Sequence, residues 1–344
     1  MTQGEDKPAP VFSLVVPCYC EELALPLLFK EAIPALDKAT GGNFEMILVD
    51  DGSKDKTYDL IVAQHKLDPR IKGVRLSRNF GHQPALTAGL AFAGGDIIGV
   101  IDADLQDPIP VLLELYEAVR QDTCDICYGV RRKRDAPAFL IFFYGLFYWL
   151  IHRFADHPWP RNAGDFSVFN RDVLATLVAL PEKLRMVRGL RSWVGFRQHP
   201  LPYDRPRRAA GVSKYNIISL TRLAASAFLG FTHMPLQIAI YLGLGMAFAT
   251  LIPLVLFFLQ YFHIMTWTPF PTSNWQFVIL FFYLSFGASA MFLCFGVIGE
   301  YISVILSEVK RRPTAIVSHV TGDCRRWPKA DYVYCRDSLI APTR

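Results

Sequence analysis

The sequence predicts an α/β fold: a mostly parallel, doubly wound sheet in one N-terminal domain, followed by surface helices and two membrane spans. Three observations predict it. Short apolar runs alternate with helical stretches through residues 1–136. Each apolar run ends in polar residues suited to ligand chemistry. From Met234 onward the text changes to long stretches without charge.

The elements follow in order. Phe12–Val16 reads as a buried strand ended by Pro17, and Glu22–Leu36 as a helix with Pro26 and Pro34 at its ends or kinks. Phe44–Val49 is a second strand, and Asp55 a plausible N-cap for the helix after it. Ile71–Leu76 is a third strand, and His82–Ala93 a helix stopped by Gly94-Gly95. Ile97–Ile101 is a fourth strand, followed by a helix over Pro108–Arg120 and a strand over Asp125–Tyr128.

The strand ends gather on one sheet edge. Tyr19 and Glu21 follow the first strand, Asp50 and Asp51 the second, Ser77, Arg78 and Asn79 the third, Asp102 and Asp104 the fourth. In an open α/β sheet that edge is where ligands bind. Two carboxylates one residue apart suit a hard divalent cation that also touches a phosphate. An acidic strand-to-turn corner has the same appearance, so the convergence of four strand ends carries more weight than Asp-x-Asp alone. No G-x-G-x-x-G follows the first strand and no G-x-x-x-x-G-K-[ST] occurs, which disfavours a dinucleotide dehydrogenase and a P-loop NTPase.

The chain has 344 residues, 52% of them hydrophobic, with a mean hydropathy of +0.24. Met234–Gln260 and Trp275–Gly299 carry no charge and are each long enough to span a bilayer. The connection between them has no Lys or Arg, whereas Arg222 precedes the first and Lys310, Arg311 and Arg312 follow the second. The positive-inside rule places the large domain and both chain ends in the cytoplasm, on a multi-pass inner-membrane protein. The polar opening, Met1–Pro10, gives no sign of a signal peptide. The net charge of +5 reads as membrane-facing, not nucleic-acid-binding.

The predicted division is a polar tail (1–10), the α/β domain (11–215), an amphipathic juxtamembrane helix (216–233), two spans (234–303) and a cytoplasmic tail (304–344). Within the domain, 138–151 reads as an interfacial helix, with a buried core helix as the competing reading. Arg131–Arg134, beside it, suits capture of a lipid phosphate or a generic anionic-headgroup contact. The seven cysteines suit buried thiols better than a disulfide framework. Cys18-x-Cys20 and Cys124-x-x-Cys127 invite a zinc reading, but both pairs lie in or beside predicted strands. His82, His199 and His233 lack metal-ligand spacing and read as structural. Gly287, Gly296 and Gly299 have small-residue spacing suited to helix packing, a hint of a homo-oligomer.

PCYCEE, VDDGSKDKT, LSRNFGHQPAL, IDADLQDP, YGVRRKR, AGDFSVF, RPRRAAGVSKY and GEYISVILSEVKRRP occur in this order. With them the chain resembles family 2 glycosyltransferases of GT-A (Rossmann-like) fold, and within these the polyprenyl-phosphate group. That group includes dolichyl-phosphate mannose synthases, bactoprenol glucosyltransferases and the undecaprenyl-phosphate aminoarabinose transferase. The resemblance implies that Pro17, Tyr19, Glu21 and Asp51, with Asp50 sharing the role, cradle nucleobase and ribose. It implies that Asp102, Asp104 and Gln106 hold a divalent cation, Mg²⁺ or Mn²⁺, and the donor diphosphate. It puts Arg131 at phosphate recognition, with Arg134 beside it for the acceptor phosphate. It puts Arg205, Arg208, Ser213 and Lys214 on a loop closing over the donor, and Asp165 near the reacting centre.

The implied reaction is inverting transfer of a sugar from a nucleotide-sugar, UDP-glucose favoured, to undecaprenyl phosphate. GDP-mannose or another UDP-sugar, and an inactive membrane scaffold or flippase-associated protein, are the alternatives. A processive polysaccharide synthase is disfavoured, because its Gln-x-x-Arg-Trp motif and further spans are missing. A tetramer is the oligomer the family suggests. Two departures stand out: Cys20 where the family usually has Asn, and Val212 where the loop commonly has Glu.

Overall fold

The computed structural model describes residues 10–132, 160, 162–183, 185–206, 239–246, 248, 275–324, 327 and 333–335. The expected interfacial helix 138–151, the juxtamembrane helix 216–233, most of the first span, and the 1–9 and 336–344 ends lie outside them. So do Arg134, Arg208, Ser213 and Lys214. The described residues divide into two units. One lies within Met1–Arg153, His157–Ala224 and Arg311–Arg344, the other within Phe154–Asp156 and Ala225–Lys310.

The first unit opens with β1 (Phe12–Cys18), α1 (Leu25–Thr40), β2 (Phe44–Asp50), α2 (Thr57–Leu67) and β3 (Ile71–Leu76). Then come α3 (His82–Leu90), β4 (Ile97–Val100), α4 (Ile109–Arg120) and β5 (Ile126–Arg131). It continues through β6 (Ala163–Asn170), α5 (Arg171–Ala179), α6 (Val187–Trp193) and β7 (Gln198–Tyr203), and closes with β8 (Ala315–Thr321) and β9 (Val333–Cys335). The strands form one mixed sheet in the order β7-β5-β6-β4-β1-β2-β3-β8-β9. β1, β2, β3 and β4 are mutually parallel, whereas β6 runs antiparallel to β4 and β5, and β8 antiparallel to β3.

Every residue of β1 and β2 is buried, because helices cover both faces. Phe12, Leu14 and Val16 point into the core shared with α1 and α4. Val15 points to the other face, where a side chain at Gly89 of α3 would meet Val15 Cγ1 at 2.4 Å. The order reverses at β1: β2 and β3 lie to one side, β4 to the other. The crevice at the carboxyl ends of β1 and β4 is therefore the topological switch point, where open α/β sheets bind ligands.

Several local expectations are corrected. Pro17 does not end β1, which runs to Cys18. Val15 O accepts from Ile101 N, so odd positions of β1 face β4, and the donor that Pro17 lacks lies past the last β4 pairing. Asp55 is not the N-cap residue of α2: its carboxylate instead accepts from Thr57 N and Oγ1 and from Glu22 N. Residues 315–321 and 333–335, read as tail, extend the sheet. Trp327 beyond β8 donates its indole N–H to Ala93 O at 2.7 Å.

In the second unit, residues 239–246 are helical and α7 spans Trp275–Val309. Tyr283 OH donates to Met246 O at 3.4 Å and Cys294 Sγ to Ala239 O at 3.7 Å, so the two helices run alongside in opposite directions. Tyr283–Val309 has a mean hydropathy of 1.9 with its apolar side chains facing outward. It is the one helix among the described residues long and apolar enough to cross a membrane. The helix passes the predicted end at Gly299 and takes in Glu300 and Glu308.

Candidate active site

The edge at the switch point is built by loops that brace one another. After β1, Cys20 N donates to Ser53 Oγ at 2.8 Å and Glu21 N to Thr57 Oγ1 at 2.8 Å. Side chains of the β2–α2 loop and the first residue of α2 thus satisfy backbone donors of the β1–α1 loop. Cys20 itself sits at φ +52°, in the left-handed region. Gly52, at φ +65°, lies so close to the next loop that a Cβ would stand 2.5 Å from Arg78 C.

Asp50 and Asp51 serve this bracing. Asp50 is fully buried, accepts from Ser53 N at 3.0 Å and pairs with Arg75 Nε at 3.2 Å. Asp51 accepts from Phe80 N at 2.7 Å and Gly81 N at 2.9 Å, fixing the start of α3. Pro17 is buried beneath them, and Tyr19 and Glu21 are half-buried at the rim.

Asp102, Asp104 and Gln106 follow β4 on a turn in which Leu105 takes φ +57°. Asp104 is buried and accepts from Gln106 N at 3.1 Å. Gln106 Nε2 donates to Pro206 O at 3.4 Å, so the chain leading into the predicted loop passes over this turn. Asp102 is more open, 36% exposed at its side chain. Its nearest ion-pair partners are distant: His82 Nε2 at 3.7 Å and Arg205 Nη2 at 3.7 Å.

β6 then brings in Asp165, whose Oδ2 lies 3.4 Å from His82 Nε2 and accepts from Gln83 Nε2 at 2.7 Å. The carboxylates of β4 and β6 thus share His82 between them.

Residues 13–178 match the family model described as glycosyl transferase family 2. The chain is 38% identical over 312 residues to the uncharacterized glycosyltransferase YkcC of Bacillus subtilis, covering 90% of this chain and 94% of the relative. It is 33% identical over 309 residues to the prophage bactoprenol glucosyl transferase homolog of Escherichia coli, covering 90% and 98%. A bactoprenol glucosyl transferase of Shigella phage SfV is 33% identical over 308 residues, covering 89% and 98%. The chain belongs to glycosyltransferase family 2. It is a glycosyltransferase of GT-A-like mixed α/β fold, as its resemblance implied.

Charge in the candidate site is balanced by buried partners. Burial alone would raise the Asp165 pKa. The hydrogen bond from His82 and the charges of Arg188, His82 and Arg191 instead hold it far below the usual carboxylate range. Burial would likewise discharge His82, but its bond to Asp165 and the charges of Asp102 and Asp165 carry it up to about 9, against Arg188. Asp107 goes the other way: burial and the Asp102 charge push it up to about 6, against Arg205, Tyr203 and Arg131. Tyr203 OH donates to Asp107 at 2.8 Å, and Arg205 Nε lies 3.9 Å from it. Arg131 is held charged, against its burial, by Tyr203, Asp107 and Asp102. Arg131 and Arg205 therefore reach the same carboxylate cluster from opposite ends of the predicted set.

The sequence alone assigns no site role to His82, Gln83, Asp107, Tyr203, Arg188 and Arg191, and His82 reads from it as structural. His82 and Gln83 stand inside LSRNFGHQPAL and Asp107 inside IDADLQDP, so position in a family motif was the available signal. Arg188, Arg191 and Tyr203 lie in none of the motifs.

Oxygen donors from Asp102, Asp104 and Gln106 fit a hard divalent cation. Among the described residues no group of three or more His, Cys, Asp or Glu side chains is placed to hold a metal ion by itself. Such a cation would rest on one or two carboxylates plus substrate phosphate oxygens, the usual habit of Mg²⁺.

Proposed function

We propose that this glycosyltransferase transfers a sugar from a nucleotide-sugar, UDP-glucose favoured, to a polyprenyl phosphate, with inversion and a divalent cation. The observation that carries the chemistry is that Asp102 and Asp165 share His82 at the β1/β4 switch point, with Asp104 on the same turn as Asp102. The acceptor class is supported by relatives named bactoprenol glucosyl transferases, similar over nearly their whole length. An apolar helix, Tyr283–Val309, supports work at a membrane. A polyprenyl tail leaves the bilayer at a cost of about 0.8 kcal/mol per methylene, so the site must come to the headgroup layer.

On this reading the β1–α1 and β2–α2 loops hold the nucleoside, through Pro17, Tyr19, Glu21 and Asp51. The bound cation, held by Asp102, Asp104 and Gln106, would offset charge gained by the departing diphosphate. Arg205, with Arg208, Ser213 and Lys214 of the loop beyond it, adds donor contacts and cationic charge. Arg131 and Arg134 receive the acceptor phosphate. That phosphate is already anionic near neutral pH and needs little general-base help. Asp165, held anionic by His82 and two arginines, is a weak base and serves as an orienting charge. Both spans, 234–260 and 275–299, would anchor the domain at the cytoplasmic face, with 138–151 and 216–233 in the headgroup layer and a homo-oligomer, such as a tetramer, as the assembly.

The test is a transfer assay on purified protein in lipid, offering UDP- and GDP-sugars in turn with undecaprenyl phosphate, Mg²⁺ or Mn²⁺, and a chelator control. One chelator-sensitive, lipid-linked monosaccharide is expected, and Asp104→Ala should lower turnover at least ~100-fold. Unchanged turnover in Asp104→Ala would refute the cation assignment. No product from any donor, despite nucleotide-sugar binding, would favour an inactive scaffold.

A further inference from the structure

The geometry points to Gln83 as a positioning residue for the reacting centre, its side-chain amide locking Asp165 to the first turn of α6. Resting on the transfer reaction proposed above, this names a residue that aligns its orienting carboxylate. Gln83 Nε2 donates to Asp165 Oδ2 at 2.7 Å, and Gln83 Oε1 accepts from Val187 N at 2.7 Å. The second bond fixes the first. A backbone N–H can only donate, so the amide oxygen must face Val187 and the amide nitrogen must face the carboxylate.

Both partners depend on this bridge. α6 begins at Met186 without a side-chain cap of its own, so Gln83 satisfies one of its open N–H groups from another element. Asp165 Oδ1 is buried and takes no hydrogen bond from the described residues. Its orientation therefore rests on Oδ2, where the short contact is from Gln83 and the His82 contact is longer, at 3.4 Å. α6 also carries Arg188 and Arg191, whose charges act on Asp165, and Arg191 Nη2 donates to Gly164 O at 3.3 Å. Gln83 thus sets carboxylate, strand and arginine-bearing helix in one register, though it sits on α3, next to the residue that Asp102 and Asp165 share.

The experiment compares wild type, Gln83→Met and Gln83→Glu as full chains in lipid with undecaprenyl phosphate and the active nucleotide-sugar. Gln83→Met keeps the length and removes both bonds. It should lower kcat by ~10-fold or more, the loss of a hydrogen bond to a charged group, and leave donor KM within ~3-fold. Gln83→Glu keeps the acceptor for Val187 but sets a second carboxyl against Asp165. That carboxyl would face Asp165 on β6, His82 on its own helix with Asp102 beyond, and Arg188 and Arg191 on α6. It can donate to Asp165 only when protonated. Activity of Gln83→Glu should therefore be nearest wild type at acid pH and fall as pH rises, while the wild-type profile does not follow it.

Amide exchange gives a readout independent of turnover: in Gln83→Met, residues 187–190 should exchange at least ~10-fold faster while β1 and β2 stay protected. A kcat within ~3-fold of wild type in Gln83→Met, or a Gln83→Glu pH profile parallel to wild type, overturns the assignment. If wild type itself makes no product, the proposed reaction fails, and unchanged exchange at 187–190 would separately overturn the bridge.

Discussion

Cys20 should be a strained residue that Asn relieves. It stands at φ +52°, between two half-buried positions at the mouth of the site. An L-residue in the left-handed region costs ~1–2 kcal/mol, and Asn avoids part of that because its short amide hydrogen-bonds locally. Cys20→Asn should thus stabilise by ~0.5–1 kcal/mol. For domains of about 150–250 residues each kcal/mol shifts Tm by ~2–4 °C, so a rise of ~1–4 °C is expected.

Two controls separate strain from chemistry. Cys20→Ala removes the thiol and keeps the Cβ, so its Tm should stay near wild type. Cys20→Gly removes the ~1–2 kcal/mol of strain but adds ~0.5–1 kcal/mol of unfolded-chain entropy, so it should gain about as much as Asn. The assay is thermal unfolding of the full chain in lipid, with donor KM measured alongside. The Cys20 N–H bond to Ser53 Oγ is a backbone bond that every variant keeps, so donor KM should move less than ~2-fold. Equal stabilisation by Ala and Asn would show that the thiol, not the backbone, is the problem. A lower Tm for Asn would refute the strain argument outright.

Other predictions concern acid stability and thiols. Asp125 accepts from Arg197 N at 3.0 Å, Arg197 Nη2 at 2.9 Å and Asn170 Nδ2 at 3.1 Å; the Arg197 hydrogen bonds hold its pKa below the ordinary value. A depressed carboxylate contributes stability above its unfolded pKa of ~4 and loses it as pH falls through the folded value. Asp125→Asn should therefore melt lower than wild type at pH 7, with the gap closing below about pH 4 in parallel melts; a gap independent of pH would contradict this. Burial pushes both Cys127 and Cys324 up to about 12, and Cys18, Cys124 and Cys335 are buried as well. Alkylation at pH 8 followed by mass spectrometry should modify Cys20 first and these five only in denaturant. Rapid native labelling of Cys127 would mean that β5 opens.

The part of the fold legible in the sequence is the part whose signal is local. β1 to β4 and α1, α3 and α4 read within a few residues, because each strand is a mostly apolar, mostly buried run between helical stretches. The missed strands lack that signal. β7 is an edge strand with Pro200 and Pro202, tolerated there because few ladder donors are needed. β8 pairs Val74 with Val320, a partnership no window along the chain can contain. The site divides in the same way. Asp102 and Asp104 announce themselves by spacing after a strand. Gln83 gains its role only when folding brings Asp165 and Val187 to it, and Tyr203 only when it meets Asp107.

The four acids first read at this edge are not equivalent once folded. Asp50 and Asp51 hold the loops in place with both oxygens, so Asp→Asn there perturbs architecture before chemistry. Asp104 is buried with one oxygen turned to the Gln106 backbone, and Asp102 alone combines exposure with long, weak ion-pair contacts. A cation seated there would draw most of its remaining oxygens from the donor. On the proposed reaction, cation and nucleotide-sugar affinities should then be linked, each strengthening the other by the same factor. A carboxylate pair too sparse to hold a metal alone suits this, because the cation would be recruited where a diphosphate is waiting to leave.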